Sequence, residues 1–193
     1  MVREILIVAD NEKNIDALEK GIDGEDYLIK TIINFDVNLN QYLKDNPLDV
    51  IVIDVEVPLS IYLDKIREVY ENTPMPIVMF TQMKDQTVTI ENVIEAGVHA
   101  FIVNNVEPNR IVTIIDTAVA RFKQYQSISE KLKKTEATLE ERKILDRAKG
   151  ILMENRNLNE QESYALLRKM AMDQNKKIAE VATNVIEMFN YMK

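Results

Sequence analysis

The 193-residue chain contains no cysteine, which excludes disulfides and thiolate metal sites. It has one histidine, His99, so most imidazole catalysis and histidine-based metal binding are excluded too. No apolar run approaches the length that spans a membrane. The start, MVREILIVADNE, places acids around its first apolar stretch and does not suit a secretory signal. A cytoplasmic protein with no membrane partner is expected. Aromatic residues make up only 6% of the chain and form no cluster, which argues against an aromatic platform for single strands. There is no internal repeat or low-complexity tract, and between Pro108 and Gly150 there is neither glycine nor proline.

What is present is a hydrophobic content of 46%, enough for the core of one ordinary domain plus a smaller module. The net charge of −8 conceals an asymmetry. Residues 1–110 hold 9 basic and 20 acidic side chains, residues 111–193 hold 15 and 12, and residues 142–177 hold 9 and 5. The two halves therefore either serve different partners or differ only as solvated surfaces.

The first 110 residues alternate β-branched runs with amphipathic stretches. The expected strands are Ile5–Ala9, Tyr27–Ile33, Val50–Ile53, Ile77–Phe80 and Ala100–Val103. Helices are expected over Asn14–Lys20, Leu39–Lys44, Tyr62–Tyr70 and Val88–Glu95. Continuously apolar runs such as Val50-Ile51-Val52-Ile53 suit parallel strands covered on both faces. The expectation is an α/β domain with a five-stranded parallel sheet over residues 1–108. Polar residues collect behind the first, third, fourth and fifth strands, where such sheets place their functional crevice.

The stretch free of glycine and proline predicts a long helix starting near Asn109. Within it Tyr125, Ile128, Leu132, Thr135 and Leu139 recur at steps of three and four. The stripe is either a dimer seam or a face packed on the chain's own domain. Residues 109–138 are assigned as a linker helix or coiled coil. Asn159 and Glu162 form a capping-box pattern that opens a second helix, which ends near Asp173-Gln174-Asn175; a third covers Ile178–Met188. Residues 139–193 thus make a three-helix module, small enough to benefit from dimerisation.

The first domain resembles the receiver domain of two-component response regulators, a flavodoxin-like fold. The residues that carry this are 5–10, 49–58, 76–81 and 96–104, and the resemblance covers about residues 3–120. It makes Asp54 the phospho-acceptor, Asp10 a Mg²⁺-binding acid and Thr81 the hydroxyl that meets the phosphoryl group. Two positions depart from the family. Ala9 stands where a second acid belongs, and Asn104 where a lysine should pair with the phosphoryl group. Both departures weaken the handling of a phosphate of nearly two charges. Asp10, Asp54, Thr81 and Asn104 therefore form either a degenerate pseudo-receiver used as a protein-binding platform or a working phosphorylation site. Only the second reading brings in a cofactor, Mg²⁺ at Asp10 and Asp54. His99, before the fifth strand, is expected to be a surface or half-buried residue without function.

Residues 139–153, 159–175 and 178–182 are similar to the ANTAR domain, the RNA-binding module of transcription antitermination regulators. Ala148-Lys149-Gly150 with Leu152-Met153 is its hallmark. The resemblance implies RNA contact through Arg142, Lys149, Gly150, Arg168, Lys169, Lys176 and Lys177. Arg142 and Lys149 lie seven apart on one helix face, Arg168 and Lys169 are on the next helix, and Lys176 and Lys177 are in the turn after it, an arrangement that suits phosphates. Gly150 costs about 1 kcal/mol inside a helix relative to alanine. Either close helix packing or close approach of RNA must offset that.

Within this family the chain most resembles the NasT type of nitrate- and nitrite-responsive antiterminators, on residues 76–82, 100–103 and 120–123 together with Ala9-Asp10. The resemblance implies a regulator, not an enzyme, that binds leader RNA hairpins as a homodimer with Tyr125, Ile128, Leu132 and Leu139 in the seam. It acts on RNA polymerase indirectly and is controlled by a nitrate- or nitrite-sensing, NasS-like protein or by a sensor kinase. The alternative is a phosphorylation-dependent response regulator that binds RNA or DNA.

Overall fold

The computed structural model describes residues 2–22, 24, 26–82, 89–104 and 106–191. It divides into two units, residues 1–126 and 127–193. In the first, five strands run parallel: β1 (Arg3–Ala9), β2 (Tyr27–Ile33), β3 (Val50–Val55), β4 (Ile77–Thr81) and β5 (Ala100–Val103). Their order is β2-β1-β3-β4-β5. The order reverses between β1 and β3, and such a reversal leaves a crevice at the carboxyl ends of the strands.

Five helices cover the sheet on both faces: α1 (Ile15–Ile22), α2 (Leu39–Asp45), α3 (Ser60–Asn72), α4 (Ile90–Glu95) and the first turns of α5 (Pro108–Arg156). The alternation of strand side chains separates two cores. Leu6, Ile51 and Met79 meet Leu43 of α2, Ile66 of α3 and Val93 of α4. Ile5, Val52 and Phe80 meet Leu18 of α1 and Ile111, Ile115 and Ala118 of α5. The first unit therefore extends to Gln126, beyond the boundary expected at 108. The start of the long helix is core rather than linker. Val88, the expected start of α4, lies outside the described residues.

α5 is 49 residues long and does not stop at Gly150. It ends at Arg156, after which Asn157 takes a left-handed conformation with φ of 53°. Asparagine tolerates that region and replaces the usual glycine stop. In the second unit the rest of α5 joins α6 (Glu160–Asp173) and α7 (Ile178–Tyr191). The capping box forms: Glu162 N–H donates to Asn159 Oδ1 at 2.9 Å, and Asn159 N–H donates to Glu162 Oε2 at 2.8 Å. Ala148 and Leu152 of α5, Leu167 and Ala171 of α6, and Val181, Ala182 and Val185 of α7 form one apolar cluster.

The stripe of α5 is not packed on the chain's own core. Tyr125, Ile128, Leu132 and Leu139 are each more than half exposed.

Candidate functional sites

The carboxyl ends of β1, β3 and β4 bring Asp10, Asp54 and Thr81 together, as the strand order requires. Asp54 is 1% exposed. Its Oδ1 accepts a hydrogen bond from Asn14 Nδ2 at 3.0 Å, while its Oδ2 is buried with no partner among the described residues. Burial pushes the Asp54 carboxyl above its ordinary pKa; Asn14 opposes this, Asp10 adds to it and Lys13 offsets part. Asp10 is exposed and accepts the Glu56 N–H at 3.2 Å. Thr81 Oγ1 donates to the Glu56 carbonyl at 3.1 Å. Asn104 adopts φ of 63°, and its N–H donates to the Thr81 carbonyl at 2.8 Å. Its backbone closes the crevice, but its side chain supplies no cation.

The donor set suits a Mg²⁺ site poorly. That ion needs six oxygens in a near-octahedral shell. Asp10 and Asp54 are the two acids at hand, the Ala9 side chain has no ligand atom, and Asn14 turns its amide N–H rather than its oxygen to Asp54. Among the described residues no group of three or more His, Cys, Asp or Glu is placed to hold a metal.

Asn14 and Lys13 are the residues that the sequence reading missed. Asn14 reads there as the start of a helix; its contact with Asp54 spans 40 positions and leaves no local signal.

His99 is half-buried in the first unit. Its ring lies 5.5 Å from Tyr70 and edge-on to Phe122 at 5.2 Å, and Nδ1 accepts the Ile77 N–H at 3.3 Å. Burial lowers its pKa to about 4. It is a neutral packing residue at physiological pH.

In the second unit α5 and α6 border a groove of about 570 Å³. Arg142, Asp146, Lys149, Gly150 and Met153 line it from α5, and Glu160 and Tyr164 from α6. Lys149 does not project freely. Its Nζ lies 2.7 Å from Asp146 Oδ1 and 2.7 Å from Glu160 Oε1, and its side chain is only 16% exposed. Hydrogen bonds to Asp146 and then Glu160 hold its pKa above the ordinary value. Lys176 pairs with Glu180 at 2.8 Å. Arg142, Arg168, Lys169 and Lys177 are exposed and in no salt bridge among the described residues. The groove joins Arg142, Lys149 and Gly150; Arg168, Lys169, Lys176 and Lys177 are not among the residues that line it.

The surroundings of Gly150 bear on one of the two readings made from sequence, close helix packing. A Cβ built there would meet nothing within 4 Å. Close helix packing does not explain this glycine.

Comparison with known proteins agrees with both halves. The family model for the response regulator receiver domain matches residues 5–116, and the model for the ANTAR domain matches residues 133–186. The transcriptional regulatory protein PdtaR of Mycobacterium tuberculosis is 27% identical over 139 residues, 72% of this chain and 67% of that protein. The nitrate regulatory protein of Klebsiella oxytoca is 39% identical over 59 residues, 31% of this chain and 15% of that protein. Among solved structures, the signal receiver domain of a modulated diguanylate cyclase from Desulfovibrio desulfuricans G20 aligns with a TM-score of 0.53 at 16% identity. It covers 65% of this chain and 99% of that one. The REC domain of AraT from Geobacillus stearothermophilus aligns with a TM-score of 0.53 at 17% identity, over 65% and 99%. At these identities the structures speak for the fold of the first unit alone. No described helix is long and apolar enough to cross a membrane.

Proposed function

We propose that this chain, which belongs to the response regulator receiver family and carries an ANTAR domain at residues 133–186, binds stem-loops in leader RNA and thereby opposes premature termination of transcription. Both parts are regulatory modules, and the protein is a regulator rather than an enzyme. One observation supports the RNA reading best. The ANTAR match falls on the basic half of the chain, where a helix glycine borders an open groove beside exposed arginines. In an acidic protein, affinity for a polyanion has to come from such a local surface.

The phosphate contacts fall to Arg142 and Arg168, because Lys149 is already neutralised by two acids. The test is a fluorescence titration of the full-length protein against leader stem-loops and duplex DNA, at rising salt. Stem-loops bind in preference to the duplex, and affinity falls as salt rises. Arg142→Ala with Arg168→Ala flattens the salt dependence by about one unit of slope per lost phosphate contact. Equal affinity for duplex DNA overturns the assignment.

The receiver unit is read as a protein-binding platform. Its partner is a sensor of nitrate or nitrite, and the targets are genes that assimilate those ions. The resemblance to the NasT type supports this, together with the short match to a nitrate regulatory protein. Affinity capture with and without nitrate tests it: a sensor protein should co-purify in one condition and not in the other. The second reading, phosphorylation by a sensor kinase, is favoured by Asp54 and Thr81 standing at the ends of neighbouring strands.

The active form is read as a homodimer joined along the exposed stripe of α5. An isolated helix with such a stripe buries it against a second copy. Light scattering of wild type and Leu132→Glu checks this. A protein that stays monomeric with and without RNA removes the seam.

A further inference from the structure

The α5–α6 groove contains an aromatic ring that phosphate binding does not require. Tyr164 is 47% exposed on its wall. Glu160, Tyr164 and Arg168 are spaced by four and share one face of α6. Across the groove, Gly150 leaves the α5 backbone bare, and Met153, 40% exposed, lies about one turn further along. The groove is lined by a flat ring, a thioether and a bare stretch of helix, which suit a planar group, and a side chain at position 150 would enter its open space.

Charge sets the orientation of what enters. Asp146 and Glu160 flank Lys149 with two acids against one cation, which is hostile to phosphate but offers carboxylate acceptors. Arg142 of α5, on the groove, and Arg168 of α6, one turn beyond Tyr164, are exposed cations in no salt bridge among the described residues. A ligand with a planar, amino-bearing face and flanking phosphates matches this division.

The geometry points to a base-binding subsite: one unpaired nucleobase of a bound RNA stacks on Tyr164 over Gly150. Its exocyclic amino group faces Asp146 and Glu160, and its flanking phosphates face Arg142 and Arg168. This rests on the RNA-binding reading above and deepens it. Unpaired loop bases are the part of a hairpin open to side chains, and an aromatic face accepts any base by stacking. The carboxylates then favour adenine, cytosine or guanine over uracil, which has no amino group. A platform of several aromatic rings is not needed; one ring on the groove wall serves a single base.

The probe is a stem-loop RNA enriched from a randomised-loop pool on the full-length protein, carrying 2-aminopurine at each loop position in turn. One position is expected to lose fluorescence on binding. Tyr164→Ala abolishes that signal and weakens binding by about tenfold or more, in the range of one base–aromatic stack, and Tyr164→Phe retains both. Gly150→Leu weakens binding comparably yet melts no lower than wild type, since leucine is the better helix former and the site is empty. An abasic nucleotide at the responsive position removes the difference between wild type and Tyr164→Ala. Wild-type RNA affinity in both Tyr164→Ala and Gly150→Leu overturns the subsite and leaves RNA binding standing. A pool that yields no RNA preferred over duplex DNA overturns the subsite and the proposed function together.

Discussion

Two helix glycines, one in each unit, stand under opposite constraints. A Cβ on Gly21 in α1 would come within 2.6 Å of the Pro108 carbonyl oxygen, so glycine there lets two pieces of backbone meet. A Cβ on Gly150 in α5 would meet nothing. The ionic groups divide in the same sense. Asp54 is buried with one oxygen unpartnered among the described residues, and neither Ala9 nor Asn104 supplies a charge beside it. Lys149 sits at the surface between two carboxylates, beside open space. The first site brings Asp10, Asp54 and Thr81 together but has no acid at position 9 and no lysine at position 104. The second has its charges balanced and its space unfilled. The same kind of residue is thus explained by close packing of the fold in one place and not in the other.

The largest expected effect tests whether the two units are separate. Leu167 is fully buried among helices of the second unit. An aspartate there puts a carboxylate where nothing pairs it, at a cost of several kcal/mol. Leu167→Asp should lose helical signal and RNA binding while amide protection in β1 and β3 persists. Loss of protection in those strands as well would break the comparison.

His99 gives the next effect, and it is confined to the first unit. Its folded pKa of about 4 lies below the ordinary 6.5 because of burial. Between those values the unfolded chain binds a proton that the folded chain refuses. Stability is therefore full above about pH 6.5 and falls as pH drops towards 4, by up to about 3 kcal/mol. Asp54, with its raised pKa, acts in the opposite sense and stabilises on acidification. Urea unfolding at pH 7 and pH 5 separates the two. His99→Gln should lose less stability on acidification than wild type. An unchanged pH response in that variant would show that His99 is not the group titrating.

The fold was largely legible in the sequence because its signals are local. Runs rich in apolar and β-branched residues marked every strand, and the capping box at Asn159 marked α6. Three features were not. Gly150 reads as a helix residue that costs about 1 kcal/mol, but whether packing surrounds it leaves no local signal. Tyr164 is an apolar position of its helix like Leu166 and Leu167, and composition alone does not set it apart from them. The buried row of α6 is instead Ser163, Leu167 and Ala171, at steps of four, so the ring is rotated out to the groove. The pairing of Lys149 with Glu160 crosses the turn between two helices, and that of Asn14 with Asp54 crosses a strand and two helices. Such contacts are set by packing and have no periodicity to read.

The smallest expected effect is none at all, and it bears hardest on the contrast between the sites. Acetyl phosphate with Mg²⁺ should leave the protein unmodified. Phosphorylating Asp54 would place a phosphoryl group of nearly two negative charges on a buried side chain whose carboxyl pKa is already raised by its surroundings. Asn14 already donates to one of its oxygens, and Asp10, which accepts the Glu56 N–H, is the nearby acid that raises its pKa. A lysine at position 104 would supply the missing cation from the residue whose backbone is anchored to Thr81, and an acid at position 9 would supply a missing ligand. Intact-mass measurement should therefore find no adduct on wild type and a partial one on Ala9→Asp with Asn104→Lys. Position 104 needs the double variant tested for folding first, since its left-handed φ of 63° suits asparagine better than lysine. Stoichiometric labelling of the wild type, lost in Asp54→Asn, would make the first site a working one and end the contrast between the two units.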